Sequence, residues 1–427
     1  MTRVTVRETT SADNRTVEAA HPRWQRTVQA IAGTQVAILI GFNFSFPFLP
    51  LLIQEIGVTD RAELSLWTGA MVGASGLAMG LVSPIWGVLA DRFGRKPMLV
   101  RSIAAGSILL SIQAAVTNVW QLATLRVLNG VFTGTQTAAS MLIAGIVPRD
   151  RTGFALGLLN TSVQIGNLAG PIIGGIAIAT IGLRESFLVG GVILAICTIV
   201  TVVMVEDVPV APRERGRGLR GVASDMVTPF GWTGLRGVLL VRTAVQIVSS
   251  GTVALIAIYL QDLARPSWLS LELTIGLSLA VGALAAAIAM PFLGSYADRH
   301  DPRVLFAVSL AVIGVALVPQ ALVSSAVVFI LMRALIGLGL AGTTSSIAVL
   351  TRSAAPAGGE GRAFGALAAA QNFGWGIGPV LGASLAAIAG IPALYLGAAL
   401  IVLALVPIAI SRSWLARPVE PQGAIRG

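Results

Sequence analysis

The sequence predicts an all-α membrane protein, with twelve transmembrane helices arranged as two pseudo-symmetric six-helix halves. Three observations carry that prediction. Hydrophobic residues make up 55% of the 427 and charged residues only 11%, with a mean hydropathy of +0.84, outside the range of soluble domains. Apolar runs of about 20 residues, enough to cross the hydrocarbon core as a helix, recur along the chain. Charges and prolines also repeat at a fixed offset of 207 residues. Arg126 in LRVLNG matches Arg333 in MRALIG, Asp91-Arg92 matches Asp298-Arg299, Pro84 matches Pro291, and Gln54-Glu55 matches Gln261-Asp262.

The runs fall at 28–53, 66–90, 98–117, 119–146, 153–180, 185–205, 238–262, 273–296, 303–322, 324–350, 363–389 and 391–411. None alternates apolar with polar residues, as the strands of a barrel would. Residues 1–27 read as a cytosolic arm, 28–205 as the first half and 206–237 as a basic, Pro- and Gly-bearing linker. Residues 238–411 read as the second half and 412–427 as a cytosolic tail. Two like halves in parallel order are a common construction among secondary transporters, which points to movement of a solute rather than to bond-making chemistry.

The net charge of +10 is not a nucleic-acid footprint. With the amino terminus placed in the cytosol, 24 of the 29 Lys and Arg fall in inner segments, Arg242 counted among them. Only Arg61, Arg184 and Arg265 fall in outer loops, and Arg126 and Arg333 lie within helices. That asymmetry predicts cytoplasmic termini and a multi-pass protein of the cell (plasma or inner) membrane. Cys197 is the only cysteine and the two histidines lie in cytosolic segments, so no disulfide, metal site or cofactor is expected. No cleavable signal peptide is visible.

These features resemble the major facilitator superfamily. Gly87-x-x-x-Asp91-Arg92-x-Gly94-Arg95-Lys96 matches its motif between the second and third helices. Arg126 with Gly130 and Gly134 is similar to its fourth-helix motif. The stretch Gly166 to Gly175, with Asn167, Gly170, Pro171 and Gly174, resembles the fifth-helix motif of its twelve-helix drug/proton antiporters. The resemblance covers residues 28–411 and implies a multidrug exporter working by alternating access, a monomer in the lipid bilayer that exchanges a small-molecule substrate for protons.

It also implies roles. An acid equivalent to Asp91 meets the amino end of the eleventh helix, whose unpaired N–H groups favour an anion. Here that end lies near Gly361-Arg362-Ala363. Gly87, Asp91, Arg92, Gly94, Arg95 and Lys96 would then close a cytosolic gate across the seam. In the degraded second copy Asp298 and Arg299 would clasp the fifth helix near Arg151-Thr152. Arg126 would couple proton to substrate movement. An intramembrane arginine faces the interior, and by depth Asn43 and Ser45 are its expected neighbours. For Arg333 two readings stand open, a coupling residue or a structural relic of the duplication. Gly166, Gly170 and Gly174 form a close-packing face; with Pro171, which can bend the helix, they are read as both packing surface and hinge.

Mid-helix polar residues mark the expected pathway. Asn160, Gln164 and Asn167 form one stripe on the fifth run. Gln246 lies on the seventh run, Gln35, Asn43 and Phe46 on the first, and Gln371, Asn372 and Trp375 on the eleventh. For each amide, helix–helix glue is the rival reading. A cavity lined by amides and aromatics, with arginine as its only fixed charge, suits a bulky apolar or anionic solute. None of the nineteen acids falls mid-helix, so Glu55 and Asp262 at matching helix ends are the nearest candidates for a proton-exchanging carboxylate. Their rival reading is helix termination in water. Two other functions fit less well: a facilitator or importer of a metabolite, which would show more fixed hydrogen-bonding groups, and a non-transporting membrane sensor, which would have lost the motif at 87–96. No nucleophile, base and orienting group converge as in an enzyme.

Overall fold

A computed structural model describes residues 24–148, 151–205, 228–356 and 359–411. The expected arm and tail lie outside the described residues, as does most of the linker. The described chain is helical throughout. Its helices are α1 (Trp24–Asn43), α2 (Leu49–Glu55), α3 (Arg61–Phe93), α4 (Arg95–Gln113), α5 (Val119–Phe132), α6 (Thr135–Ile146), α7 (Thr152–Ile181) and α8 (Leu183–Met204). In the second half they are α9 (Thr233–Ala254), α10 (Ile256–Leu260), α11 (Leu271–Arg299), α12 (Pro302–Leu322), α13 (Ala326–Ala354), α14 (Glu360–Ala389) and α15 (Ile391–Ile410).

Ten helical segments are long and apolar enough to cross a membrane. The runs at 98–117 and 119–146 are helical but different in kind. α4 opens on Arg95 and Lys96, and the fourth run breaks into α5 and α6 at Gly134, whose φ of 131° only glycine tolerates. The first run also breaks, passing through a single 3₁₀ turn at Phe46–Phe48 where Pro47 cannot donate a backbone hydrogen bond. Helix starts follow from local chemistry: Asp60, Asn118 and Ser270 each accept from the backbone N–H three residues on.

The duplication is visible in the packing. α1 lies on α7 as α9 lies on α14; α3 on α5 as α11 on α13; α4 on α8 as α12 on α15. Gly182 and Gly390, 208 apart and both at positive φ, make the same tight turn in each half. Two further pairs cross between the halves, α3 against α14 and α7 against α11. Large apolar side chains such as Leu81, Ile108, Val203, Leu240 and Ile388 stand exposed around the bundle, a surface that suits lipid rather than water.

Candidate functional site

The seam between the halves is sealed at the end that carries Arg61. There the Arg61 guanidinium crosses to the carboxylate of Asp262, with Nη1 2.7 Å from Oδ2 and a second bond from Nη2 to Oδ1. Nη1 also reaches the Ile258 carbonyl. Next to it Gln54 and Gln261, the two members of one repeat position, exchange amide hydrogen bonds of 3.0 Å in both directions. Beneath lies a small apolar void, with Pro47, Pro50 and Val72 on one side and Val253, Ile256 and Ile275 on the other. Two glycines bring the halves into backbone contact at this level. A Cβ on Gly69 would strike the Pro379 carbonyl, and one on Gly276 would strike the Pro171 carbonyl. These are again equivalent positions, so the seal is itself two-fold.

Below the seal the ring of Phe46 meets Trp375 edge-on, 6.3 Å between centroids. This pair also joins the two halves. Arg126 lies beside it, with its guanidinium carbon 5.9 Å from the Phe46 ring centre, within cation–π range. Arg126 is 5% exposed, and its Nε and Nη2 make no hydrogen bond. The expected neighbours are not its partners. Asn43 donates instead to Asn167 at 2.8 Å, tying α1 to α7, and the buried Ser45 hydroxyl is unpartnered.

One turn from Trp375 along α14, the Gln371 amide faces the Arg242 guanidinium; with the amide assigned so that its oxygen points there, it accepts from Nε at 3.1 Å and from Nη2. The sequence places Arg242 among the inner-segment cations. In the structure it lies within α9, 7% exposed. A signal for it was present: the offset of 207 places it opposite Gln35, itself buried with an unpartnered Nε2. Gln246 is buried against Gly374. Asn160 is exposed, Gln164 and Asn167 are half-buried, and Asn372 makes the last close approach of α14 to α3, at Gly80.

Toward the other end the halves part. A Cβ on Gly361 or Gly365, at the start of α14, would meet open space. The charged motif, expected to bridge the seam there, is bound within its own half. Arg95 Nη1 donates to the Met141 carbonyl at 2.6 Å, Lys96 Nζ donates to the Val202 carbonyl at 2.9 Å, and Gly87 faces the Met141 side chain. Arg92 lies over Phe93, Gly94 makes the positive-φ turn into α4, and Asp298 and Arg299 are exposed at the end of α11. Asp91 ends α3, and its side chain lies outside what is described. Arg101 is stacked 3.3 Å over the Trp86 ring, while Trp86 donates to the Val131 carbonyl. The expected proton carriers differ from each other: Asp262 spans the seam, whereas Glu55 pairs with Arg184 of its own half at 2.5 Å.

Gly166, Gly170 and Gly174 of α7 press on Leu39, Asn43 and Phe44 of the first run; Gly374, Gly378 and Gly382 of α14 press on Gln246, Ser250 and Gly251 of α9. The bond between Asn43 and Asn167 has its counterpart in that between Ser250 and the Gly374 carbonyl at 2.9 Å.

A duplicated bundle of membrane helices with polar groups buried at the seam between its halves is the architecture of a solute transporter. A family model described as Major Facilitator Superfamily matches residues 31–271 and 247–427. The chain belongs to this superfamily. It is 32% identical over 365 residues to the multidrug resistance protein MdtG of Enterobacter lignolyticus (strain SCF1), covering 85% of this chain and 86% of that one. It is also 32% identical over 371 residues to a multi-drug resistance efflux pump PmrA homolog of Lactococcus lactis subsp. lactis (strain IL1403), covering 85% and 89%. The fold is similar to the inward-facing, unoccupied structure of a bacterial homolog to the human lysosomal transporter Spinster, at TM-score 0.74, 14% identity and 92% and 97% coverage. It is similar also to the nucleoside transporter NupG, at TM-score 0.74, 14% identity and 90% and 98% coverage.

Proposed function

We propose that the chain is a secondary active exporter of drugs or other amphipathic small molecules, driven by protons and working by alternating access. The relatives named for multidrug resistance support the substrate class, and the carrying observation is the seam itself. A buried arginine whose Nε and Nη2 make no hydrogen bond and an aromatic pair lie between a sealed end and one where the start of α14 meets open space.

In this reading residues 28–205 and 238–411 rock as two halves, the sealed end faces outward, and both termini lie in the cytosol of a cell whose plasma or inner membrane holds the protein as a monomer. The cation asymmetry of the loops supports that orientation. The conformation described is then the inward-open one. A substrate enters from the cytosol and rests between Phe46 and Trp375, with Gln35, Asn43, Asn160, Gln164, Asn167, Gln246, Gln371 and Asn372 around it. Export requires the Arg61–Asp262 pair and the Gln54–Gln261 clasp to separate. As they do, Gly87, Asp91, Arg92, Gly94, Arg95 and Lys96 swing to the start of α14, and Asp298 and Arg299 to the start of α7, closing the cytosolic side. Protonation of Asp262 from outside removes the charge that Arg61 holds, and so opens the outer mouth. Arg126 senses the emptied site, Glu55 tunes the rim of its own half, and Gly166, Gly170, Pro171 and Gly174 carry the bend.

Inside-out vesicles test this directly. A panel of fluorescent hydrophobic dyes is expected to accumulate when a pH gradient is imposed, and cells lacking the protein are expected to become drug-sensitive. If no dye moves and susceptibility is unchanged, the reading fails.

A further inference from the structure

The interior of the seam carries positive charge beside which no acid stands among the described residues. Arg126 and Arg242 come from opposite halves and are 5% and 7% exposed. Arg126 leaves Nε and Nη2 without any hydrogen bond, and Arg242 has a neutral amide, Gln371, for company. Burying guanidinium groups is costly unless an opposite charge compensates them. Among the described residues every Asp and Glu lies at a helix end or in a loop. Glu55, Asp60, Glu63, Glu185, Asp262 and Glu272 stand at the sealed end; Asp91, Asp298, Asp301 and Glu360 stand at the other. Of these, Asp262 and Glu55 are already paired with Arg61 and Arg184.

The two arginines belong to one constellation. Arg126 lies against Phe46, Phe46 meets Trp375 across the seam, and Gln371 precedes Trp375 by one turn of α14 and faces Arg242. Positions four apart on a helix share a face, so the aromatic pair and both cations address the same space. Trp375 is 37% exposed, so this space is open to a ligand.

Resting on the exporter reading, we infer that the molecule held at this site is an organic anion, an aromatic body against Phe46 and Trp375 whose carboxylate or sulfonate is met by Arg126 from one half and Arg242 from the other. The ligand supplies the counter-charge that the protein omits. Charge-assisted, forked bonds from guanidinium are the strong kind, and an amide at Gln371 gives way to an anion at small cost. A permanent cation of the same shape meets two like charges with nothing to offset them. The equivalent of Arg242 in the first half is the neutral Gln35, so the second half supplies the second of the two cations.

Two xanthene dyes of similar shape and opposite charge, fluorescein and rhodamine 6G, separate the outcomes. Binding to the purified full-length protein is read by dye anisotropy at low salt. Wild type is expected to prefer fluorescein at least tenfold. Arg242→Gln is expected to lower fluorescein affinity about tenfold, the scale of one charge-assisted bond, with rhodamine 6G binding unchanged or improved; Arg242→Lys restores part of the loss. Equal or tighter binding of rhodamine 6G by wild type overturns the inference without needing any variant, as does an Arg242→Gln protein with wild-type fluorescein affinity. Binding in detergent needs no gradient. Arginine-dependent fluorescein binding with no movement of either dye in vesicles would sink export and keep the ligand class, whereas movement of rhodamine 6G alone would do the reverse.

Discussion

The two halves share a backbone plan and differ in what they hang on it. In both, glycines of one helix press on the partner at the same three levels, and a polar side chain 207 residues apart (Asn43, Ser250) ties the pair together. Yet the acid at the matching helix end crosses the seam in one half and stays home in the other: Asp262 reaches Arg61, Glu55 reaches Arg184. Arg184 further fastens the carbonyls of Ala114 and Val116, so Glu55 is part of a local brace. The buried arginines diverge likewise. Arg126 lies by Phe46 at the seam, whereas Arg333 sits 7% exposed behind it, in the half where Tyr259, Phe329 and Tyr395 pack ring against ring. Packing is what the duplication preserved; the charged groups were free to specialise because each needs only one partner.

The largest effect expected from this contrast is at the arginines. Arg126→Ala should abolish dye transport in vesicles with little change in expression or Tm, while Arg333→Ala should lower Tm and leave measurable transport. The reverse pattern would move the coupling role to the second half.

The glycine seal is next. Gly69→Val and Gly276→Val each place a side chain on a proline carbonyl of the opposite half, and both should block sealing and cut transport by about ten- to a hundredfold, consistent with overpacking costs of about 1–3 kcal/mol. In a Cys197→Ser background, a cysteine introduced at Ala383 reports the change as faster labelling by an impermeant maleimide. Unchanged labelling in both variants would show that the seal is not held at these levels.

The ion pairs should matter least. Arg61 and Asp262 are each about half exposed, and such pairs contribute about 0–1 kcal/mol. Asp262→Asn is therefore expected to shift the open-to-sealed balance up to about fivefold. Glu55→Gln should change stability rather than that balance. Exchanging the charges, Arg61→Asp with Asp262→Arg, should return the balance toward wild type; a double variant no better than Asp262→Asn would argue against a direct pair.

Much of the fold was open to reading from the residues. Membrane helices advertise themselves because every backbone group in lipid must bond internally and every outward side chain must be apolar. The 207 offset then exposed the duplication, and the Gly166–Gly174 face was recognisable from its four-residue spacing. The charged motif at 87–96 was recognisable too, but the bonds it makes were not. Arg95 and Lys96 take carbonyls of their own half while the seam is parted, and a sequence does not say which of two conformations is populated.

Arg242 shows the same limit in one residue. Its spacing of 207 from Gln35 is legible in the sequence, but counting it with the inner-segment cations left its burial inside the bundle unread. The sequence by itself determined that the chain is a bundle of apolar membrane helices, how the halves correspond and which groups are too polar to face lipid, because those depend on composition and spacing along one chain. Tertiary structure alone decided which acid meets which arginine and which end of the seam is shut. Those depend on where two separately folded faces come to rest against each other.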